Sequence, residues 1–155
     1  MIDFKVIDTN YAEAVKGIKA GWFLSSGSIW YDYIISLPNN LKITYLIVVL
    51  QNQVINGGFH QYFVNGYGQF SKETIDALIE ISAFEHADLL KSAYAKVNIF
   101  DSDKLFREKL LKKDIYNLFV TDDLADALDD LDKVYYINCD NVTLLLRDYL
   151  INLNA

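Results

Sequence analysis

The sequence contains few of the residues that build covalent frameworks, linkers or membrane spans. One cysteine, Cys139, excludes an intramolecular disulfide framework and is typical of a reducing compartment. One proline, Pro38, and the lack of a Gly/Ser-rich stretch leave no sign of a domain boundary. The longest apolar run, Ile43 to Leu50, falls far short of the roughly 20 residues of a membrane span. We therefore expect a soluble cytoplasmic protein with a single domain over residues 1–155.

Motifs that bind metals or carry out catalysis are also missing. The two histidines, His60 and His86, lie 26 positions apart, and neither belongs to a zinc-protease pattern. No phosphate-binding loop, dinucleotide-binding glycine motif or nucleophile elbow occurs. The N-terminus has no basic segment followed by an apolar run, so a signal peptide is not expected. The sequence predicts a protein that is not an enzyme and that carries no cofactor and no metal.

The composition is that of a folded chain, and its apolar residues recur at helical spacing. Hydrophobic residues make up 52 % of the sequence and aromatic residues 14 %, which is too rich for a disordered protein. No pair of alternating apolar runs is joined by a hairpin turn. These patterns predict an all-α fold, a compact domain of about seven to nine helices.

A central helix is predicted over about residues 40–56, and the other helices are expected to pack around it. The run "ITYLIVVL" could form a strand on β-branched content alone, but apolar residues continue through Val54 and Ile55 without a turn signal. A helix that is apolar nearly all round is expected to be buried. Helix starts are predicted at Thr9, at about Ser28, at Asp101 or Ser102, at Thr121, and at Asn141 or Thr143, where the side chains can cap the first turn.

The net charge of −7 is concentrated in the last quarter of the chain. Residues 1–113 contain equal numbers of acidic and basic side chains, whereas residues 114–155 contain nine aspartates against Lys133 and Arg147. Such a surface repels phosphate backbones and attracts basic partners. Direct binding of nucleic acid is therefore not expected.

Most of this charge lies in "TDDLADALDDLDKVYY", where Leu124, Leu128 and Leu131 belong to an apolar helical face. The aspartates of the remaining arc are Asp122, Asp123, Asp126, Asp129, Asp130 and Asp132. The first two suit the N-terminal end of a helix dipole, but the later ones repel each other at i, i+3 and i, i+4 spacing. Carboxylates four residues apart rise about 6 Å along a helix, and alternate phosphates of one DNA strand rise about 6.8 Å. The arc is either a solubilising surface or an imitation of a phosphate strip.

The stretch "NGGFHQYFVNG", residues 56–66, combines two adjacent glycines, three aromatics, a histidine and three carboxamides. One interpretation is a joint: a helix stop at Asn56–Gly57, a short turn that buries Phe59, Tyr62 and Phe63, and a second stop at Asn65–Gly66. The other is a polar pocket for a small molecule. Its lining would be Asn56, His60, Gln61 and Asn65.

This stretch resembles the core motif of a family of small bacterial proteins, a domain of unknown function named for a DNA-mimic protein. That motif reads roughly N-G-G-x-x-Q-Y-aromatic-x-N-x-x-G. The matched positions here are Asn56, Gly57, Gly58, Gln61, Tyr62, Phe63, Asn65 and Gly68. The resemblance extends over about residues 40–150, and residues 1–25 form an N-terminal helical extension outside it.

The resemblance implies an all-helical fold, a homodimer and no enzyme activity. The member that named the family presents a negative, DNA-like surface to a DNA-binding protein such as a transcription factor. We therefore expect a protein-interaction module whose acidic C-terminal face binds a basic DNA-binding protein. Three alternatives remain: an immunity-type inhibitor of a basic toxin, the small-molecule pocket with or without enzyme activity, and a homodimeric module with an aromatic interface around Trp22 and Trp30.

Overall fold

The computed structural model describes residues 3–153, which form eight α-helices and three short 3₁₀ helices without any strand. The α-helices are α1 (Lys5–Val15), α2 (Ile29–Ser36), α3 (Asn39–Val64), α4 (Ser71–Glu80), α5 (Phe84–Val97), α6 (Asp103–Leu111), α7 (Asp122–Ile137) and α8 (Cys139–Leu153). The 3₁₀ helices are Ala20–Leu24, Tyr67–Phe70 and Tyr116–Val120. The predicted all-α class is confirmed, and the outermost positions of the predicted domain, 1–2 and 154–155, lie outside the described residues.

Helix α3 is the buried centre of the fold, as its apolar run predicts. It begins directly after Pro38, whose extended ψ of 146° suits the residue before a helix. Leu46, Ile47, Leu50 and Val54 have no exposed surface. The helix packs against α1, α2, α4, α7 and α8. Burial contributes about 1.5 to 3 kcal/mol for each large apolar side chain, so this helix contributes strongly to the stability of the fold.

The predicted helix stop at Asn56–Gly57 is confirmed as a break in α3, but a helical segment resumes after it. Gly57 and Gly58 leave the helical region, with φ/ψ of −152°/17° and 77°/179°. Residues 59–64 then form a further helical segment instead of the predicted short turn. The predicted second stop is confirmed, because Gly66 has the left-handed φ of 88° that commonly ends helices. The glycine pair is therefore a break within one long helical element.

The outer helices begin near the predicted positions, with two exceptions. Ser28, Ser102 and Thr121 precede α2, α6 and α7 as expected. The Ser102 hydroxyl caps α6 by accepting the N–H of Leu105 at 3.2 Å, whereas the side chains of Ser28 and Thr121 make no cap hydrogen bond. Helix α1 begins four residues before Thr9, at Lys5. Helix α8 begins at Cys139, before the predicted Asn141, because α7 and α8 are separated by Asn138 alone.

Several side chains lie on a different side from that predicted. Helical spacing of the apolar residues predicts Ile79 and Leu105 on inward faces, but their side chains are 43 % and 38 % exposed. The neighbouring Glu85 and Asp88 predict a mixed-charge helical surface at His86, yet His86 is buried, and its Nε2 lies 3.2 Å from the carbonyl oxygen of Tyr135. Burial lowers the pKa of His86. For His86, packing against Tyr135 of α7, which is distant in sequence, overrides the local pattern.

A buried polar bridge fixes α7 and α8 against the central helix. The Tyr135 hydroxyl donates to Oε1 of Gln51, and Nε2 of Gln51 donates to the carbonyl oxygen of Cys139 at 2.8 Å. Gln51 lies on α3, so one side chain satisfies groups on both C-terminal helices. Because buried polar groups cost free energy unless they are bonded, this bridge specifies how α7 is oriented.

Candidate functional site

The predicted aspartates of α7 divide into five exposed residues and one buried residue. The exposed set, named here the acidic face, is Asp122, Asp123, Asp126, Asp129 and Asp130. Lys133 is the one cation on α7, and its Nζ lies 3.4 Å from Asp129 and 4.0 Å from Asp130. Ion pairs this exposed contribute little free energy, so the carboxylates remain accessible to another molecule.

Asp132 does not belong to the exposed arc where the sequence pattern places it. It is 8 % exposed and lies on the same stripe of α7 as Leu124, Leu128 and Tyr135. Its Oδ1 accepts the backbone N–H of Phe59 at 2.8 Å, across 73 residues of sequence. This N–H is among the first of the resumed helical segment of α3, where no helical carbonyl is available. Asp132 is therefore a long-range helix cap rather than a partner-binding residue.

The second glycine of the pair, Gly58, is required by this cap. The φ/ψ of Gly58 lies in a region that is populated almost solely by glycine. A Cβ atom at Gly58 would lie 2.2 Å from Oδ2 of Asp132, well inside contact distance. The break in α3 and the acidic helix α7 are thus joined at one point, where a carboxylate reaches the backbone between the two parts of α3.

Burial raises the pKa of the Asp132 carboxyl above its ordinary value, and the charge of Asp129 adds to this effect. The hydrogen bond from Phe59 and the charge of His60 oppose it. The folded protein therefore holds this proton more tightly than the unfolded chain does. The stabilisation that results is present below the ordinary pKa of about 4 and is lost as the pH rises through the raised pKa.

Replacing Asp132 with asparagine should change how stability depends on pH. Asparagine has the same shape and can still accept the Phe59 N–H, but it does not titrate. We expect the free energy of unfolding of Asp132→Asn, relative to the unmodified protein, to increase from pH about 4 to about 7. Urea denaturation at a series of pH values measures this difference. A difference that decreases with pH would mean that the pKa of Asp132 is lowered, contrary to its burial.

The three carboxamides of the "NGGFHQYFVNG" stretch are brought together by a residue outside it, Gln53. Nδ2 of Asn56 donates to Oε1 of Gln61 at 3.1 Å, and Nε2 of Gln61 donates to Oε1 of Gln53 at 3.1 Å. Nδ2 of Asn65 donates to the same oxygen of Gln53 at 2.9 Å. The chain of amides crosses the break in α3 and links its two parts.

His60, the fourth side chain of the alternative pocket, makes its contact with a different part of the protein. Its Nε2 lies 2.7 Å from the carbonyl oxygen of Phe119, and its ring meets the Phe119 ring edge-on at a centroid distance of 6.2 Å. Asn56 and Gln61 line an open depression that includes neither His60 nor Asn65. The four polar residues predicted to line a pocket therefore do not face a common cavity. They form hydrogen bonds with other carboxamides or with the backbone.

The remaining motif residues serve packing. Tyr62 and Phe63 have no exposed surface, and their rings meet at a tilt of 75°. Gly68 is buried against Phe63, where a Cβ atom would lie 2.3 Å from Cδ1 of that ring. These motif residues therefore allow the two parts of α3 to pack closely against the neighbouring helices.

The sequence analysis did not predict the part that Gln53 takes in this site, and it did not predict that Asp132 is buried. A signal for Asp132 existed, because Leu124, Leu128, Asp132 and Tyr135 follow one another at steps of four, four and three. Gln53 gave no signal, since a carboxamide on a helix is usually solvated.

Over residues 3–153 no group of three or more histidine, cysteine or acidic side chains is arranged to hold a metal ion. None of the helices in this range combines the length and the apolar content of a membrane span.

Comparison with known proteins gives one match. The model of a family described as DMP19-like protein matches residues 35–154. No curated protein and no solved structure matches the chain. The matched region begins within α2 and takes in the glycine break, Asp132 and the acidic face.

Proposed function

The chain belongs to the DMP19-like family, and on this premise we propose that it is a non-enzymatic interaction protein whose acidic face occupies a basic DNA-binding protein in place of DNA. The family is that of a DNA mimic, which suggests a role of this kind. The observation that carries the proposal is the exposure of five aspartates along one helix.

The spacing of these aspartates suits a surface that normally receives phosphates. Asp122, Asp126 and Asp130 are each four residues apart and all exposed, so they form a row with a rise of about 6 Å per step. Alternate phosphates of one DNA strand rise about 6.8 Å along the duplex axis, which is close to the rise between these aspartates. Three carboxylates can thus face three basic side chains that are placed for a phosphate strip.

The acidic face is also held rigidly, which lowers the entropic cost of binding. The Gln51–Tyr135 hydrogen bond and the Asp132 cap attach the inner side of α7 to α3. On the outer side Asp129 and Asp130 are exposed to solvent, and Lys133 is the one cation of α7. Such a surface favours electrostatic recognition over apolar docking.

The proposal is tested by affinity capture from a lysate of the native organism at low salt, followed by elution with increasing salt. We expect a nucleic-acid-binding protein to be retained and to elute near physiological salt, where exposed charges are screened beyond about 8 Å. Retention of no nucleic-acid-binding protein at low salt would contradict the proposal. If the retained protein is a nuclease that the chain inhibits, the function is that of an immunity protein.

A further inference from the structure

The segment 23–32 and helix α6 enclose a groove that has an apolar part and a basic part, named here the α6 groove. The apolar part is a cavity of about 300 Å³ that includes Trp30, Leu110 and Phe119. The basic part is a cavity of about 400 Å³ that includes Lys104, Arg107 and Lys112. Leu111 lines both, so the two cavities adjoin. The acidic face contributes no residue to either.

The apolar part leaves large side chains in contact with water. Phe23 is 47 % exposed, Leu24 is 91 % exposed and Tyr116 is 52 % exposed, and all three line the cavity. Exposed apolar groups that surround a cavity mark sites where a ligand or a partner is bound. Lys113 is the charged residue of this lining, so the apolar part has a cation at its boundary.

The basic part stands out on a chain whose net charge is −7. The two carboxylates of its lining, Asp32 and Glu108, already have partners: Asp32 accepts the Ser28 hydroxyl at 2.8 Å, and Glu108 lies 4.0 Å from Lys104. Within the described residues no carboxylate oxygen lies within 4.0 Å of the cationic groups of Arg107, Lys112 or Lys113. Three cations therefore border the groove without a carboxylate in ion-pair contact with them.

Arg107 is held in place by an aromatic ring rather than by an acid. Its guanidinium carbon lies 3.9 Å from the centre of the Tyr31 ring, a cation–π contact. This contact orients the planar group while leaving its N–H donors available for a carboxylate or phosphate oxygen. The groove thus presents a fixed donor group next to an apolar cavity.

We propose that the α6 groove binds a free single-chain anionic amphiphile, a fatty-acid-like molecule with one carboxylate. Its acyl body occupies the cavity between Trp30, Leu110 and Phe119, and its carboxylate accepts hydrogen bonds from Arg107 and Lys113. The proposal is independent of the acidic face, which lies on another helix. The charge complementarity selects the anion, and the size of the apolar part selects a short chain over a bilayer surface.

The test is isothermal titration calorimetry of the full chain with decanoate and with decanol as its uncharged counterpart. We expect one saturable site for decanoate and weaker binding of decanol. Arg107→Gln and Lys113→Gln should each lower the affinity for decanoate by about threefold to tenfold and leave the affinity for decanol unchanged. Leu24→Ser should lower the affinity for both probes, because it removes apolar surface from the lining of the apolar part. Lys91→Gln, an exposed lysine on α5 outside the groove, is the matched control and should change neither.

Four outcomes would overturn the proposal. The first is that the binding of decanoate does not saturate. The second is that decanoate binds the Arg107 and Lys113 variants as tightly as it binds the Lys91 variant. Anionic lipid vesicles retain the protein while decanoate monomers do not, which would indicate a membrane surface. Finally, the protein sediments as a dimer that Leu24→Ser dissociates while decanoate fails to bind, which would mean that a second copy covers the groove.

Discussion

Replacing Gly58 with alanine should lower the free energy of unfolding by about 3 to 5 kcal/mol. The backbone at Gly58 has φ 77° and ψ 179°, which an alanine reaches only at a cost of about 1 to 3 kcal/mol. The added Cβ would also lie 2.2 Å from Oδ2 of Asp132, so the carboxylate must move. Movement of Asp132 leaves the buried N–H of Phe59 without its acceptor.

Two controls separate this mechanism from a general effect of alanine. Gly21→Ala adds the same methyl group where no atom lies within 4 Å and should change stability by less than about 0.5 kcal/mol. Gly58→Ala in an Asp132→Ala background should cost less than in the native background, because the clash is gone and only backbone strain remains. Urea denaturation of the four proteins of this cycle gives the coupling energy. A cost of Gly58→Ala no larger than that of Gly21→Ala would contradict the assigned role of the glycine pair.

Neutralising the centre of the acidic face should weaken binding of the basic partner by about tenfold to a hundredfold. The variant is Asp126, Asp129 and Asp130 replaced together by asparagine. All three are exposed and none caps the helix, so we expect the fold to be kept. Each lost carboxylate removes about 0.5 to 1 kcal/mol of favourable interaction with a basic surface. Surface plasmon resonance with the captured partner measures the change.

A matched variant tests whether position or total charge matters. Asp8→Asn, Glu13→Gln and Asp88→Asn together change the net charge by the same amount at exposed positions on α1 and α5. We expect this variant to bind nearly as tightly as the unmodified protein. Lys133→Gln should strengthen binding, because it removes the cation that lies 3.4 Å from Asp129. Equal weakening by both triple variants would indicate that only net charge steers the partner, and the acidic face would not be the site.

The sequence predicts the all-α class and the central helix because both depend on a long local pattern. Apolar residues from Ile43 to Ile55 recur on every side of a helix, and such a helix has to be buried whatever surrounds it. The predicted break at Asn56–Gly57 also rests on a local property, the conformational freedom of glycine. These features need no knowledge of distant residues.

The resumption of α3 after the break depends on a contact that spans the chain. A segment as short as residues 59–64 is not stable as an isolated helix. It forms because Asp132, 73 residues away from Phe59, caps it from α7. For the same reason Asp132 was predicted on the exposed arc, since an aspartate is usually solvated and its partner is a backbone N–H on another helix.

The acidic face illustrates the opposite case, in which the local pattern is sufficient. The i, i+4 row of Asp122, Asp126 and Asp130 lies opposite Leu124 and Leu128 in any helix, and the structure leaves the row exposed. The role of this row in binding stays a prediction, because exposure permits a contact without requiring it. The homodimer and the lack of enzyme activity stay predictions as well.

The account as a whole rests on the claim that the acidic face takes the place of DNA on its partner. The most direct test is an equilibrium titration in which the chain competes with a labelled DNA duplex for the captured partner. We expect the chain to displace the duplex completely, and the variant with Asp126, Asp129 and Asp130 replaced by asparagine to require about tenfold or more protein for the same displacement. Formation of a ternary complex of chain, partner and duplex, with no displacement at any concentration, would contradict the account.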